Sequence, residues 1–314
     1  PFVWRYRDYV IRSLNQDKPY DQFILEQLAG DELPERTADH LIATGYYRLG
    51  TWQDEPVDRV QELYEDLDDI VTTTSQVFLG LTLNCARCHD HKLDPLPQRD
   101  YYRFMAFFHG INRYGVRNRQ SVAQFSLRDI MAPREQAQHQ QEVQSHLKQV
   151  VQIEKQIAAI EKRVVGDFQP VEKEDFKFEQ HKIPLLKKRV PRLLSQQQFK
   201  QYVELKKKEK QLKNVKPVAL TQALCVTETG REPRKTFILA RGNAHAPGKQ
   251  VEPGFPEVLS FPDPVIKPLP PEKKTSGRRL ALARWIVDRR NPLTARGMVN
   301  RLWQQHFGRG IVES

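Results

Sequence analysis

A long helix is predicted by residues 58–83, which read DRVQELYEDLDDIVTTTSQVFLGLTL. Apolar residues from Val60 to Leu81 recur there at the three- and four-residue spacing of one helix face. The same spacing predicts two helices within residues 1–30, separated by a proline that lacks the amide hydrogen a helix interior needs. Two more helices are predicted over about 37–47 and about 99–108. We therefore expect an all-α first domain, residues 1–115.

A helical hairpin is predicted next, over residues 116–215. Its seam has apolar residues at intervals of 4, 3, 3, 4, 3 and 4, a near-heptad pattern typical of a coiled coil. The seam residues are Val143, Leu147, Val150, Ile153, Ile157, Ile160 and Val164. A second helix is expected from Ser195 to about Asn214. The insertion is either a spacer or dimerisation arm, or a hairpin that packs on the surface.

The composition changes again after residue 216. Short apolar runs at 218–220, 223–226 and 236–239 lie between glycine and proline turns, which predicts strands in an extended, partly β segment over 216–275. Helices return in residues 276–314, the start of a C-terminal helical domain. The predicted fold is mainly α, with a small β-containing segment.

Composition and charge exclude several classes of protein. With 39% hydrophobic residues a core is expected, and no apolar run approaches the ~18 residues that span a bilayer. Residues 1–110 hold 11 basic and 19 acidic residues (net −8), and residues 111–314 hold 39 and 20 (net +19). The basic residues are dispersed and form no nucleic-acid-reading module, so we expect no nucleic-acid partner. Because the sequence does not begin with Met, we expect a piece of a longer protein.

The most specific motif is Cys85-Ala86-Arg87-Cys88-His89. This is the attachment spacing of a c-type haem, in which both thiols bond one porphyrin and the histidine ligates the iron on the proximal side. Three alternatives remain: half of a zinc site completed by His89 or His91, a redox dithiol, or a structural turn. The third cysteine, Cys225, is expected to be a small buried residue.

The opposite face of the iron would need another ligand. Met105 ranks first as the distal ligand and His306 second, and His109 lies one turn beyond Met105. His91 is too close to His89 to reach that face, so it is expected to support the ligand or a haem propionate. A further alternative is an oxygen and nitrogen metal site at Asp90, His91, Asp94 and Asp100, although turn formation and helix capping suit these aspartates better.

The run from His89 to Tyr102 resembles the planctomycete cytochrome-c-like domain family, as do residues 4–10, 18–23 and 26–31. Residues 278–285 and 299–310 resemble the start of the planctomycete domain of unknown function that usually follows it. The resemblance covers about residues 1–112 and 240–314. Relative to the family, the helices before Pro1 and most of the last domain are missing.

The resemblance implies a secreted or periplasmic multidomain protein with covalent haem c at Cys85, Cys88 and His89. Electron transfer with an unidentified redox partner is the expected function, alongside other domains of the same chain. No catalytic residue is predicted. The alternative is a non-haem structural or metal-binding scaffold in a secreted polymer-degradation system.

Overall fold

The computed structural model describes residues 2–115, 119–214 and 221–313. The chain forms two compact units: Pro1–Ile130 with Gln222–Ser314 (unit 1), and Met131–Thr221 (unit 2). Unit 2 thus begins later than the predicted hairpin at residue 116. Unit 1 also includes both the partly β segment and the C-terminal helices, which the sequence suggested as separate parts.

The described residues are mainly helical, which confirms the predicted fold class. The helices are α1 (Val3–Asn15), α2 (Tyr20–Ala29), α3 (Ala38–Ala43), α4 (Arg59–Thr74), α5 (Gln98–Met105), α6 (Arg119–Ser126), α7 (Pro133–Val165), α8 (Pro170–Asp175), α9 (Glu179–Lys187), α10 (Gln196–Asn214), α11 (Arg278–Ile286) and α12 (Thr294–Phe307). The strands are β1 (Leu127–Asp129), β2 (Gln222–Leu224), β3 (Thr236–Leu239) and β4 (Pro247–Val251). No helix of the described residues is long and apolar enough to cross a membrane.

Helix α4 contributes four buried residues to unit 1 and is shorter than the predicted helix. It begins where the Asp58 carboxylate accepts hydrogen bonds from the amides of Val60 and Gln61, both at 3.0 Å. It gives way to a π-helical turn at Ser75–Leu79, and Gly80 ends the run with a φ of 69°. A left-handed glycine is a common helix stop because it has no Cβ to clash.

The main core of unit 1 is aromatic and surrounds α5. Tyr101, Tyr102, Phe104 and Phe108 are completely buried there. Residues of α2, α4 and α11 belong to the same apolar cluster. Helices from the beginning and the end of the chain therefore share one core.

Two antiparallel pairs make up the β structure. β1 pairs with β2, so that Asp129 lies opposite Gln222, and β3 pairs with β4. The chain therefore leaves unit 1 after β1 and re-enters it at the neighbouring strand. The strand predicted at 218–220 lies outside the described residues.

Unit 2 contains the predicted helix pair, since α7 contacts α10. The seam is buried only towards the end of α7: Val164 and Ile157 lie in the core of this unit, whereas Leu147 is 55% exposed. Residues Leu185 and Leu186 of α9 complete that core. The heptad pattern therefore corresponds to packing within the unit over only part of its length.

Candidate thiol site

Cys85 lies in a short 3-10 helix of unit 1, Leu83–Ala86, and Cys88 follows that helix by two residues. Arg87, which lies between the two cysteines, keeps helical backbone angles. Leu83 and Ala86 are completely buried, whereas both cysteines are exposed and free. Residues 83–88 are called the thiol turn.

Side chains of helix α5 hydrogen-bond to the backbone of the thiol turn. The carbonyl oxygen of Arg87 accepts hydrogen bonds from Gln98 Nε2 and Tyr102 Oη, both at 2.9 Å. The Gln98 amide also donates to the carbonyl of Leu239 in β3 at 3.1 Å. The Arg87 guanidinium binds the Asp68 carboxylate of α4 at 3.2 Å. Polar contacts to α5 and α4 thus hold Arg87, which lies between the two cysteines.

Backbone amides of the loop that follows donate hydrogen bonds to the side chain of His91. His91 Nδ1 accepts hydrogen bonds from the amides of Leu93 and Asp94, at 3.2 and 2.8 Å. Because Nδ1 accepts, the ring proton is on Nε2, which lies 3.1 Å from Thr82 Oγ1. His91 therefore organises the loop, and both its nitrogens are engaged.

The aspartates of the loop have structural roles. The carboxylate of Asp90 accepts from the first amide of α5, at Gln98, with a distance of 2.8 Å. Buried Asp100 accepts from the amide of Glu257 at 2.8 Å. Burial raises the pKa of Asp100 above its usual range. These contacts are those of turn and capping residues, as the sequence favoured.

The sulfur of Cys88 lies against the backbone at Gly242. A Cβ atom added at Gly242 would come within 2.8 Å of Cys88 Sγ, and the glycine has a φ of 72°. A side chain at this position would therefore be both strained and in collision with the sulfur. Only glycine allows the sulfur to sit there.

His89 is exposed, and one of its ring nitrogens, Nδ1, is hydrogen-bonded. Nδ1 lies 2.6 Å from the carbonyl oxygen of Asp90, which can only accept, so Nδ1 carries the proton. In the neutral ring Nε2 is consequently the basic nitrogen. An imidazole with a free basic nitrogen thus follows directly after Cys88.

The prediction of a covalent haem c is wrong. In the described ranges no group of three or more His, Cys, Asp or Glu residues is arranged to hold a metal ion. Cys88 Sγ lies against Gly242, and His89 Nδ1 is hydrogen-bonded to the carbonyl oxygen of Asp90. The zinc and aspartate alternatives lack a ligand set for the same reason.

The other predicted iron ligands occupy unrelated places. Met105 is 1% exposed inside the aromatic core, and His306 is exposed on α12. His109 is buried, with Nδ1 at 2.8 Å from Thr236 Oγ1, and burial lowers its pKa to about 4. Without a haem, the predicted iron-ligand roles no longer apply. These are the proximal role of His89, the distal roles of Met105 and His306, and the supporting role of His91. That Cys85, Cys88 and His89 form a functional site stays a prediction.

Cys225 differs from the exposed pair. It is completely buried beside β2, and burial raises the pKa of its thiol to about 12. This agrees with the small buried residue expected from the sequence. A thiol that is both enclosed and protonated is unreactive. The reactivity of Cys85 and Cys88 can therefore be compared with that of Cys225 in the same chain.

Sequence reasoning missed the contacts that fix the turn. Gly242 and Leu239 come from a segment far along the chain, and no spacing rule connects them to Cys88. The only local signal was the glycine turn after the predicted strand at 236–239. Gln98 was visible as the start of a helix, but its side-chain contact with Arg87 was not.

Comparison with known proteins yields two family matches. Residues 1–113 match the PSCyt2 family model, described as a protein of unknown function (DUF1549). Residues 278–314 match the PSD1 model, also described as a protein of unknown function (DUF1553). Their order agrees with the sequence resemblance, and neither description names a cofactor or a reaction. No curated protein and no solved structure matches the chain.

Proposed function

We propose that this chain is an extracytoplasmic electron-transfer-type protein whose redox group is the dithiol of Cys85 and Cys88. The observation that carries the proposal is a pair of exposed, free thiols three residues apart, on a segment whose backbone is hydrogen-bonded to α5. Cys-x-x-Cys is the spacing of redox-active dithiols. We propose that the pair closes to a disulfide while the backbone between the two cysteines stays in place.

The proposed reaction is thiol–disulfide exchange with a partner that carries a disulfide. The Cys85 thiolate attacks one partner sulfur, forming a mixed disulfide and releasing the first partner thiolate. Cys88 then gives its proton to His89 Nε2 and attacks the Cys85 sulfur, which releases the second partner thiolate. Two electrons pass from the pair to the partner, and Cys85 and Cys88 end joined by a disulfide.

The roles of the two cysteines follow from their surroundings. The backbone at Gly242 covers one side of the Cys88 sulfur, which hinders a bulky partner disulfide there. His89 directly follows Cys88 and has its basic nitrogen free. We therefore assign the first attack to Cys85 and the resolving attack to Cys88. A secreted or periplasmic location is part of the proposal, because disulfides persist in those compartments.

Trapping the mixed disulfide tests this assignment. Reduced protein is mixed with oxidised glutathione, quenched with acid and analysed by peptide mass mapping. We expect the natural chain to end with a Cys85–Cys88 disulfide and Cys88→Ser to keep glutathione on Cys85. Cys225→Ser is the matched control and should behave as the natural chain. If the natural chain keeps glutathione on both cysteines, or reacts at neither, the proposal fails.

A structural scaffold in a polymer-degradation system is the second candidate. The observation in its favour is an ion cluster around the completely buried Arg279. Arg279 of α11 binds Asp31 and Glu32, which directly follow α2, and donates to the carbonyl oxygen of Leu28 in α2. The two helices belong to the two matched segments. This role needs no thiol chemistry. It is favoured if Cys85→Ser/Cys88→Ser leaves the binding of the chain to the other components of its system unchanged in a co-purification experiment.

A further inference from the structure

Unit 1 contains a cavity of about 600 Å³ between the proline-rich residues 261–273 and helix α11. That volume lies within the ~300–1,000 Å³ of small-molecule sites in proteins. Its apolar lining includes Phe255, Phe261, Leu280 and Trp285. None of the residues of the thiol turn lines it, so it is a separate feature of the unit.

The aromatic wall of the cavity has a fixed geometry. The Trp285 ring stacks on Phe255, with centroids 4.4 Å apart and planes 11° apart. Phe261 meets the same indole edge-on, at 5.8 Å and 89°. A wall that is rigid before a ligand arrives loses little conformational entropy when the ligand binds.

The rim has unpaired positive charge. Three carboxylates of the lining are already bound to arginines: Asp263 to Arg103, Asp288 to Arg290 and Glu32 to Arg279.

Two cations of the lining, Arg284 and Lys267, are exposed and form no ion pair within the described ranges. Only one carboxylate of the lining, Glu272, remains to balance the charge of these two cations within the described residues. The uncommitted charge at the cavity is therefore positive.

We propose that this cavity binds a flat, apolar organic acid with a single carboxylate. The apolar body lies against Leu280 and the aromatic wall, and the carboxylate accepts from Arg284. Charge-assisted bonds to a carboxylate add both strength and selectivity to such a site. This site is independent of the proposed thiol chemistry, since it shares no residue with the turn.

A matched pair of probes tests the proposal: 2-naphthoate and 2-naphthamide, which share one apolar body and differ in charge. Titration calorimetry on the whole chain should give saturable binding of the naphthoate and at least about tenfold weaker binding of the amide.

Arg284→Gln should weaken the naphthoate about tenfold and leave the amide unchanged. Arg290→Gln is the control on the same rim, because Asp288 already holds that arginine.

The possible results distinguish a wrong ligand class from the absence of a binding site. Equal binding of acid and amide, with no effect of Arg284→Gln, would show a general apolar cavity and overturn the proposed ligand class. No saturable binding of the naphthoate at millimolar concentration would overturn the site itself. Neither result depends on whether Cys85 and Cys88 exchange disulfides.

Discussion

Two polar regions of unit 1 differ in whether their polar side chains are paired. One is the thiol turn, residues 83–88, and the other is the Arg279 cluster, which comprises Asp31, Glu32, Glu228 and Arg279. In the cluster every charged group meets an opposite charge and the arginine is completely buried. In the turn the backbone is bonded, but the two thiols and the imidazole Nε2 are left exposed. Groups that are buried and paired hold a fold together, whereas exposed groups on a fixed backbone are available for chemistry.

The largest effect is expected from breaking the cluster. Arg279 donates to both oxygens of Asp31, at 2.7 and 2.8 Å, and to Glu228 at 2.6 Å. Arg279→Met leaves these buried carboxylates without their counter-charge, which should lower the free energy of unfolding by about 3–5 kcal/mol.

Urea denaturation measures this loss, and Arg290→Met, which breaks an exposed ion pair with Asp288, is the control. If the two variants were equally stable, the cluster would not be what joins α2 to α11. The thiols of a folded Arg279→Met protein should still exchange, because the turn has its own contacts.

A pH-dependent loss is expected from His109. Burial, and then the charges of Arg234 and Arg278, lower its pKa from 6.5 to about 4. The unfolded chain therefore binds a proton between pH 6.5 and 4 that the folded chain does not, so stability is intact above pH 6.5 and falls below it.

The expected loss at pH 4 is about 3 kcal/mol, from a shift of this size. Urea denaturation at several pH values should show a weaker acid loss for His109→Gln than for the natural chain. Parallel curves would mean that the imidazole is protonated in the folded protein.

A smaller effect is expected from Gly242→Ala. The left-handed backbone alone costs about 1–2 kcal/mol with a Cβ present. Gly80→Ala has a closely similar φ, 69°, but meets nothing within 4 Å, so it carries the same strain without the collision. Only Gly242→Ala should slow formation of the Cys85–Cys88 disulfide, because the Cys88 sulfur must move. Equal rates in the two variants would show that the contact with Cys88 does not matter.

The smallest effect is expected from Asp90→Ala. Its carboxylate satisfies the first amide of α5, and losing such a cap costs about 1 kcal/mol. Thermal unfolding should show the loss. Asp21→Ala is a comparison on α2, where the carboxylate bonds only the adjacent amide of Gln22. A larger loss at Asp21 would mean that Asp90 does not cap α5.

The helices of this fold could be predicted because each carries its own signal. Pro19 separates α1 from α2, and Asp58 begins α4. The stop of α4 was missed because the apolar spacing continues through the π-helical turn up to Gly80. Strands β2 and β3 could be predicted from their apolar runs, whereas β1 and β4 were not predicted. The pairing of β1 with β2 could not be predicted because the two strands lie far apart in the chain, and β4 reads PGKQV, which is no apolar run.

The candidate site shows the same division. The exposed cysteine pair follows from five consecutive residues, but the same five residues suggested a haem. What decides against the haem is that no group of three or more His, Cys, Asp or Glu residues in the described ranges is arranged to hold a metal ion, which depends on the tertiary fold. The Arg279 cluster was equally hidden, because its members are joined only in three dimensions.

Redox titration of the whole chain tests the dithiol most directly. The protein is equilibrated with graded mixtures of reduced and oxidised glutathione, quenched with acid, alkylated and mapped by mass spectrometry. We predict one two-electron transition in which the peptide holding Cys85 and Cys88 loses two hydrogens, while Cys225 stays reduced and is alkylated only after unfolding. If Cys85 and Cys88 are alkylated independently at every ratio, or if Cys225 reacts alongside them in the folded protein, the account is contradicted.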